Sequence, residues 1–354
     1  MSVRTTSISV RNLRPGMTVG KTILSDSGQV ILDKNMVLND SLIQLLATWE
    51  IQDIDIFAQA APENISELFM GHQSMAATHG EIVATIKGAF EKIRYLREVP
   101  IEQLKDLASR CIDSLLSTSC VVYQLATIRD TDDYTFMHSV NVGVTAGVIG
   151  KWLEMSGPAL HDLVLSGLLH DVGKTQIPLP ILNKPGKLTP SEMQIMKKHA
   201  ALGFDLLSDN CQLPKAVLHG VLQHHERMDG SGYPGNLNAD SIGTIARIIA
   251  VADTLDAMTS NRVYRSAVTP FSVIHEFSSL MFDKLAPEVI TVFLENINAS
   301  LLGSIVRLSD GSTARVIYIN KARLDRPTVQ TADGEYIALV NKKELHIIEL
   351  LSGW

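Results

Sequence analysis

Histidine and aspartate recur at a regular interval along the middle of this chain, and the interval constrains the fold more than any other feature. The positions are His138, the pair His170–Asp171, His199, the pair His224–His225 and Asp253, about 25 to 32 residues apart. One helix plus one loop takes about that many residues. Each of these side chains would therefore lie on a successive element and face a common centre, as in metal sites inside helical bundles.

The number of these side chains indicates two metal ions rather than one. Five imidazoles and two carboxylates exceed the roughly four to six ligands that one such ion takes. One aspartate that bridges two ions would use all seven. Asp253 follows the apolar run Ile248–Ala252, where a buried carboxylate requires a cation or a shifted pKa. Any one of these positions alone indicates little, whereas the set predicts a dinuclear site.

The adjacent pair His224–His225 adds a local condition. Neighbouring side chains on a helix point about 100° apart, so both can reach one ion only near a helix end. The loop Asp229–Gly232 supplies that end. The remaining histidines are interpreted as ordinary core or surface residues, and these are His72, His79, His161, His219, His275 and His346.

Turn residues and apolar periodicity divide the chain into four parts. Residues 1–62 predict a small β-rich domain, with a short helix that begins after Asn39–Asp40. Residues 63–120 predict helices that serve as a connector, a dimerisation pair or both. Residues 121–300 predict a helical domain with a capping box at Thr189–Glu192, and residues 301–354 predict a β-rich tail. The expected fold class is mainly α, with β-rich flanks.

Composition excludes several classes of protein. The 31 basic and 38 acidic residues give a formal charge of −7, which argues against a binder of duplex nucleic acid. A hydrophobic fraction of 45% argues against disorder. The 3 cysteines lack C-x-x-C spacing, so neither a disulfide framework nor a thiolate zinc site is expected. No secretory signal and no span of about 20 apolar residues is found, and a cytoplasmic protein is expected.

The order of the motifs resembles one known family. The segments His170–Lys174 and His224–Pro234 closely resemble the HD-GYP family, a branch of the HD phosphohydrolases that hydrolyses cyclic dinucleotides, chiefly cyclic di-GMP. The resemblance covers about residues 130–300 and also includes Tyr134–Ser139, Pro185–Thr189 and Ala252–Arg265. It implies an HD-type helical bundle that carries a dinuclear metal site. The N-terminal block Leu13–Met17 is similar to segments that precede this domain in other members.

The resemblance also implies which residues hold the ions. One ion would be bound by His138, His170, Asp171 and Asp253. Asp171 would bridge to a second ion, which is bound by His199, His224 and His225. The family favours iron or manganese, and mixed nitrogen and oxygen ligands suit either metal. Some members hold a third ion with a glutamate where this chain has Tyr134, so two ions are expected here.

The catalytic and substrate-binding residues follow from the same comparison. Asp171 would set the separation of the ions, and a hydroxide between them would attack the phosphate. Lys174 would contact the phosphate or the departing 3′ oxygen. Arg262 and Arg265 would clamp phosphate, and Tyr233 would border the site. Plainer interpretations are a solvated lysine, a solvated arginine face and a tyrosine that only packs in its turn.

Two departures from the family pattern lie near these residues. Val263 stands where members usually have proline. Asn236 replaces a more usual glycine, although asparagine also tolerates a left-handed backbone.

The sequence therefore predicts a metal-dependent phosphodiesterase that opens cyclic di-GMP to the linear dinucleotide pGpG, with or without onward cleavage to GMP. Three alternatives stay open. The physiological substrate could be a hybrid cyclic GMP-AMP. The chain could be a catalytically silent module that binds the nucleotide and signals through residues 1–120. It could also be a broader HD-type phosphohydrolase that acts on mononucleotides.

Overall fold

Helices form most of the described chain between residues 65 and 301, and short strands precede and follow them in the sequence. The computed structural model describes residues 5–10, 13, 19–24, 30–32, 38, 43, 46, 51–57, 65–117, 121, 134–209, 213–260, 269–280, 283–320 and 323–352. The chain forms two compact units, residues 1–72 and residues 73–354. The predicted four-part division stays a prediction.

The described residues of the N-terminal unit form two small antiparallel sheets. Strand β1 (Thr5–Ser9) pairs with β4 (Asp53–Phe57), and β2 (Ile23–Leu24) pairs with β3 (Val30–Leu32). Its core is formed by Val10, Leu13, Val19, Leu32, Leu38, Leu46, Ile54 and Ile56. Only positions 43 and 46 of the helix predicted after Asn39 fall inside the described residues, and both are helical.

The larger unit begins within a long helix and continues as a helical bundle. Its first helices are α1 (Ile65–Leu96) and α2 (Ile101–Ser114). The following helices are α3 (Tyr134–Trp152), α4 (Gly157–Leu169), α5 (Leu179–Leu182), α6 (Pro190–Lys197), α7 (His199–Ser208), α8 (Lys215–Gln223), α9 (Thr244–Ser260), α10 (Pro270–Leu280) and α11 (Pro287–Leu301). The predicted capping box is confirmed, because Thr189 and Glu192 bond reciprocally at the start of α6.

Helix α1 belongs to the core of this bundle. Ile82, Ile86 and Ile93 are fully buried and share one apolar cluster with residues of α3, α4 and α8. Burying a side chain of this size gains about 1.5–3 kcal/mol, so packing of this face stabilises the bundle. The helix is therefore an integral part of the domain from residue 73 onward.

The C-terminal strands form one antiparallel sheet. The strands are β5 (Ile305–Leu308), β6 (Thr313–Asn320), β7 (Arg323–Thr331), β8 (Tyr336–Ala338) and β9 (Ile347–Ser352), in the order β8-β7-β6-β5-β9. Buried residues alternate along β6, and Val316 shares an apolar cluster with Phe277 and Phe293 of α10 and α11. The predicted fold class is confirmed: a mainly helical domain with a small sheet at its C-terminal end.

None of the helices in the described part of the chain combines the length and the apolar character that a membrane-spanning segment requires.

Candidate metal centre

His170 and Asp171 lie where an apolar helix ends. Helix α4 is buried along most of its length and ends at Leu169 with His170 as its C-cap, and a short 3₁₀ turn follows at Val172–Gln176. The exposed fractions of His170 and Asp171 are 0% and 1%. A Cβ atom on Gly173 would lie 1.8 Å from the carbonyl oxygen of His199. Glycine at this position therefore lets the turn contact α7 directly and places Asp171 beside His199.

A side chain from outside this segment fixes the 3₁₀ turn. The guanidinium of Arg94, on α1, donates to the carbonyl oxygens of Lys174 at 2.6 Å and Ile177 at 3.1 Å. These carbonyls lie at the C-terminal end of the turn, and the carbonyl of Lys174 also accepts from the backbone N–H of Ile177 at 3.2 Å. The backbone that carries Lys174 is thus held by α1.

The remaining predicted ligands lie on four further elements. His138 lies in the first half of α3, and Asp253 lies in the middle of α9. His199 is the first residue of α7, and His224 caps the C-terminus of α8. The pair His224–His225 therefore lies at a helix end, as predicted.

Two groups of potential ligand atoms converge, and Asp171 belongs to both. Within each group the atoms lie within 4.8 Å of one another. The first group is His138, His170 and Asp171, and the second is Asp171, His199, His224 and His225. Asp253 borders both groups, since its Oδ1 lies 3.1 Å from His138 Nε2 and its Oδ2 lies 3.8 Å from His225 Nδ1.

The two oxygens of Asp171 face different groups. Oδ2 lies 3.3 Å from His170 Nε2 and 3.6 Å from His138 Nε2, whereas Oδ1 lies 3.3 Å from His199 Nε2. Oδ1 is buried and is the one buried side-chain oxygen or nitrogen of the described residues that has no hydrogen-bond partner. A buried carboxylate oxygen without a donor is costly unless a cation neutralises it.

Hydrogen bonds to backbone carbonyls fix three of the imidazole rings. Nδ1 of His170, His199 and His224 bonds to the carbonyl oxygens of Gly167, Met196 and Val221 at 2.7, 2.8 and 2.7 Å. A carbonyl can only accept, so each Nδ1 carries a proton, and the neutral form of each ring presents its lone pair at Nε2. This tautomer is the one that binds a metal through Nε2.

These lone pairs meet where a cation would stabilise them. His199 Nε2 and His224 Nε2 lie 3.2 Å apart. Burial lowers the pKa of both rings, so both are neutral and their lone pairs repel each other. Together with Asp171 Oδ1, this arrangement fits a divalent cation.

The electrostatics of the site favour ionised carboxylates and neutral rings at His199, His224 and His225. Burial alone would raise the pKa of Asp171, but Lys174 and His170 outweigh it and hold that pKa well below its usual range. Burial lowers the pKa of His225 to about 3. His138 is the exception: burial lowers its pKa, but hydrogen bonds to Asp253 and Asp256 outweigh burial and raise it to about 10. A proton on His138 therefore takes a position that a metal cation can also fill.

Residues 120–279 match the family model described as HD domain. The chain is 33% identical over 249 residues to the cyclic di-GMP phosphodiesterase PA4108 of Pseudomonas aeruginosa, a match that covers 70% of this chain and 59% of the relative. The chain carries an HD domain of the HD-GYP type.

One further relative and one solved structure are also similar to this chain. The chain is 37% identical over 150 residues to 3′3′-cGAMP-specific phosphodiesterase 3 of Vibrio cholerae, which covers 42% of this chain and 32% of the relative. The chain therefore spans less than two thirds of the length of either relative. A solved HD-GYP structure, Bd1817 of Bdellovibrio bacteriovorus, superposes with a TM-score of 0.52 at 17% identity and covers 83% of this chain and 99% of that one. This likeness supports the fold.

The tyrosine of the HD-GYP domain lies against a candidate ligand. The Tyr233 ring stacks on His225, with centroids 4.6 Å apart, and Lys197 Nζ lies 5.0 Å from the Tyr233 centroid. Burial, with the nearby carboxylates of Asp171 and Asp253, raises the pKa of Tyr233. The phenol therefore keeps its proton and can donate a hydrogen bond.

Glu226 holds the loop that carries this tyrosine, a role that we did not predict from the sequence. Its buried carboxylate accepts from the backbone N–H of Gly235 at 2.6 Å and of Leu237 at 2.9 Å. A Cβ atom on Gly232 would lie 2.4 Å from Glu226 Cα, so glycine is needed there. Asn236 adopts φ of +50°, which confirms the expected left-handed backbone.

Sequence reasoning also missed Asp256 and Asn141, which surround His138. Asp256 Oδ2 accepts from His138 Nδ1 at 2.7 Å, and Asp256 Oδ1 accepts from Asn141 Nδ2 at 2.8 Å. A carboxylate behind a ligating histidine fixes its ring and tautomer. The available signal was spacing, because Asp256 follows Asp253 and Asn141 follows His138 by one helical turn.

The structure brings together all seven predicted ligands and places Lys174 and Tyr233 beside them. Lys174 Nζ lies 2.5 Å from Asp171 Oδ2. Arg262 and Arg265 lie outside the described residues, as does the side chain of Tyr134. The phosphate clamp and the expectation of two ions rather than three therefore stay predictions.

Proposed function

We propose that this chain is a metal-dependent phosphodiesterase that opens cyclic dinucleotides, with cyclic di-GMP as the main substrate and linear pGpG as the first product. The observation that carries the proposal is the single carboxylate of Asp171, whose oxygens face two separate histidine groups. A phosphodiester is anionic and its leaving alkoxide is poor, and two cations a few ångströms apart address both difficulties.

The donor set supports two divalent ions, iron or manganese. His138, His170, Asp171 and Asp253 would hold one ion, and Asp171, His199, His224 and His225 would hold the other. Imidazole and carboxylate ligands without thiolate suit these metals. When bound, the pair supplies the positive charge that activates a water and polarises the phosphate oxygens.

The chain's own side chains supply the remaining chemistry. The side chain of Lys174 is 27% exposed. Its ammonium can reach a phosphate oxygen, or it can donate a proton to the departing 3′ oxygen. Tyr233 keeps its proton and can donate a hydrogen bond to substrate. Arg262 and Arg265, three residues apart, would bind the second phosphate of the ring as forked donors.

A second candidate substrate is the hybrid ring 3′3′-cGAMP. The similarity to a cGAMP-specific phosphodiesterase of Vibrio cholerae favours including it. Both rings present the same phosphodiester to the metal centre, so contacts to the bases must discriminate between them.

A competition assay tests the proposed function. Protein purified without oxygen receives cyclic di-GMP and 3′3′-cGAMP at equal concentration, and iron and manganese are quantified on the same sample. We expect faster consumption of cyclic di-GMP with pGpG as the first product, loss of activity after chelation, and recovery after manganese is added.

Three results would contradict the proposal. Faster cleavage of the hybrid ring would reassign the main substrate. Two bound ions without cleavage of either ring would indicate a silent binding module. Cleavage of mononucleotides alone would indicate a broader phosphohydrolase.

A further inference from the structure

Helix α1 lies outside the matched HD region, yet one of its side chains joins the hydrogen bonds around the metal centre. His79 Nε2 lies 2.8 Å from Asn141 Oδ1, and Asn141 Nδ2 lies 2.8 Å from Asp256 Oδ1. Asp256 Oδ2 in turn lies 2.7 Å from His138 Nδ1. A continuous series of hydrogen bonds thus runs from α1 to a candidate ligand.

The donor in each of these bonds follows from the chemistry of the groups. The Asp256 carboxylate can only accept, so His138 and Asn141 both donate to it. The amide group of Asn141 must therefore point its N–H₂ at Asp256 and its carbonyl oxygen at His79. His79 must then donate from Nε2. Reversal of the amide would place two acceptor oxygens against each other at Asp256.

The helix geometry makes this arrangement specific. His138 and Asn141 lie one turn apart on α3, and Asp253 and Asp256 lie one turn apart on α9, so each pair shares a helix face. The His138 ring is held between the two carboxylates, with Nε2 towards Asp253 and Nδ1 towards Asp256. Asn141 and Asp256 are buried, with exposed fractions of 1% and 5%. His79 is the outer end of the series.

We propose that His79 is a positioning residue of the metal centre. By donating to the Asn141 carbonyl it holds that amide in the orientation that fixes Asp256, and Asp256 fixes the ring of His138. The inference deepens the proposed function, because it names a part of α1 on which one of the two ions depends. Removal of a hydrogen-bond partner of a metal ligand commonly lowers metal affinity about 10–100-fold. Removal of a group one hydrogen bond further from the ligand should have a smaller effect.

The test compares full-length wild type with His79→Ala, His79→Gln and His161→Ala. Glutamine carries an N–H that can replace the donor of His79. His161 is the matched control, since it is another part-buried histidine that bonds between helices, 3.0 Å from the carbonyl oxygen of Lys105 and away from the metal centre. Chelator-stripped protein is titrated with Mn²⁺ and followed by electron paramagnetic resonance, without substrate. Turnover of cyclic di-GMP is measured separately.

We expect His79→Ala to weaken one of the two Mn²⁺ sites about three- to tenfold and to leave the other unchanged. Its kcat should fall while its KM stays within twofold of wild type, because the substrate contacts are intact. His79→Gln should recover both Mn²⁺ affinity and kcat to within twofold. His161→Ala should match wild type in both measurements.

The inference is overturned if His79→Ala binds Mn²⁺ as wild type does, if His161→Ala shows the same loss, or if glutamine does not recover affinity. It is also overturned if the chain binds no Mn²⁺. A selective loss of one site in a protein that cleaves no cyclic dinucleotide would support the positioning role and contradict the proposed function. Normal cleavage of cyclic di-GMP together with unchanged Mn²⁺ affinity in His79→Ala would support the proposed function and contradict the positioning role.

Discussion

At the scale of single residues, the protonation of His138 distinguishes the ligand group that contains it from the group that contains His199, His224 and His225. Burial keeps His199, His224 and His225 neutral, whereas His138 carries a proton between two carboxylates when no metal is bound. Metal affinity should therefore depend on pH differently at the two ligand groups, because only the group that contains His138 must release a proton to bind an ion.

The stability of metal-free protein should fall as the pH drops below about 6.5. The pKa of His225 is about 3 in the folded chain and 6.5 in the unfolded chain, so between these values the unfolded state binds more protons. Stability from this group is therefore complete above pH 6.5 and is lost as the pH falls towards 3. Melting temperatures of chelated wild type and His225→Gln between pH 7.5 and 4 check this.

The His225→Gln variant should show a shallower acid slope than wild type, since it removes one of the buried groups that must stay neutral. His161→Gln serves as the control and should keep the wild-type slope. Parallel slopes for wild type and His225→Gln would contradict the assignment of His225 as a buried neutral ring.

The arginine pair has a different expected signature. Arg262→Ala and Arg265→Ala should each raise KM for cyclic di-GMP about tenfold and leave metal content unchanged, because they remove phosphate contacts rather than ligands. Arg315→Ala, on the exposed side of β6, is the control. Loss of metal from either arginine variant would refute the clamp assignment.

At the scale of elements, close backbone approach sets the distance between ligands. The 3₁₀ turn after Asp171 contacts α7 through Gly173, and α1 holds the end of that turn through Arg94. Asp171 and His199 approach each other only because no side chain separates their two segments.

Gly173→Ala should therefore destabilise the protein and reduce metal content. A Cβ atom 1.8 Å from a backbone oxygen forces the turn and α7 apart, which should cost about 3 kcal/mol or more. The control is Gly88→Ala in α1, where no atom lies within 4 Å of the added carbon. That variant should be stabilised by about 0.5–1 kcal/mol, because alanine favours the helix. Chemical unfolding and metal analysis measure both, and equal effects in the two variants would contradict this account.

Features that are local to one element could be predicted from the sequence, whereas contacts between distant elements could not. The repeated spacing of His138, His170, His199 and His224 could be recognised because each lies on a separate helix of ordinary length. The capping box at Thr189 could be predicted because its bonds are local. The contacts of Asp256 with His138, and of His79 with Asn141, join residues more than 60 positions apart. Periodicity shows which face a residue occupies but does not show which other helix meets that face.

At the scale of the whole molecule, the HD-GYP domain is built from more of the chain than the family match covers. Helix α1 contributes buried apolar side chains to the bundle core, and its His79 and Arg94 form hydrogen bonds with residues around the site. The C-terminal sheet shares a core with α10 and α11. The connector role that was one expectation for residues 63–120 stays a prediction, and the described part of α1 packs in the bundle core. The dimerisation alternative stays a prediction.

The central claim is that one carboxylate serves two ions, and metal stoichiometry measured together with turnover tests it most directly. Wild type, Asp171→Ala and the control Asp162→Ala, which lies on α4 outside the site, are purified without oxygen. Metal per chain and hydrolysis of cyclic di-GMP are then measured on the same samples. We predict about two ions and turnover for wild type and Asp162→Ala. Asp171→Ala should lose both metal and turnover, and retention of two ions with normal turnover in Asp171→Ala would contradict the account.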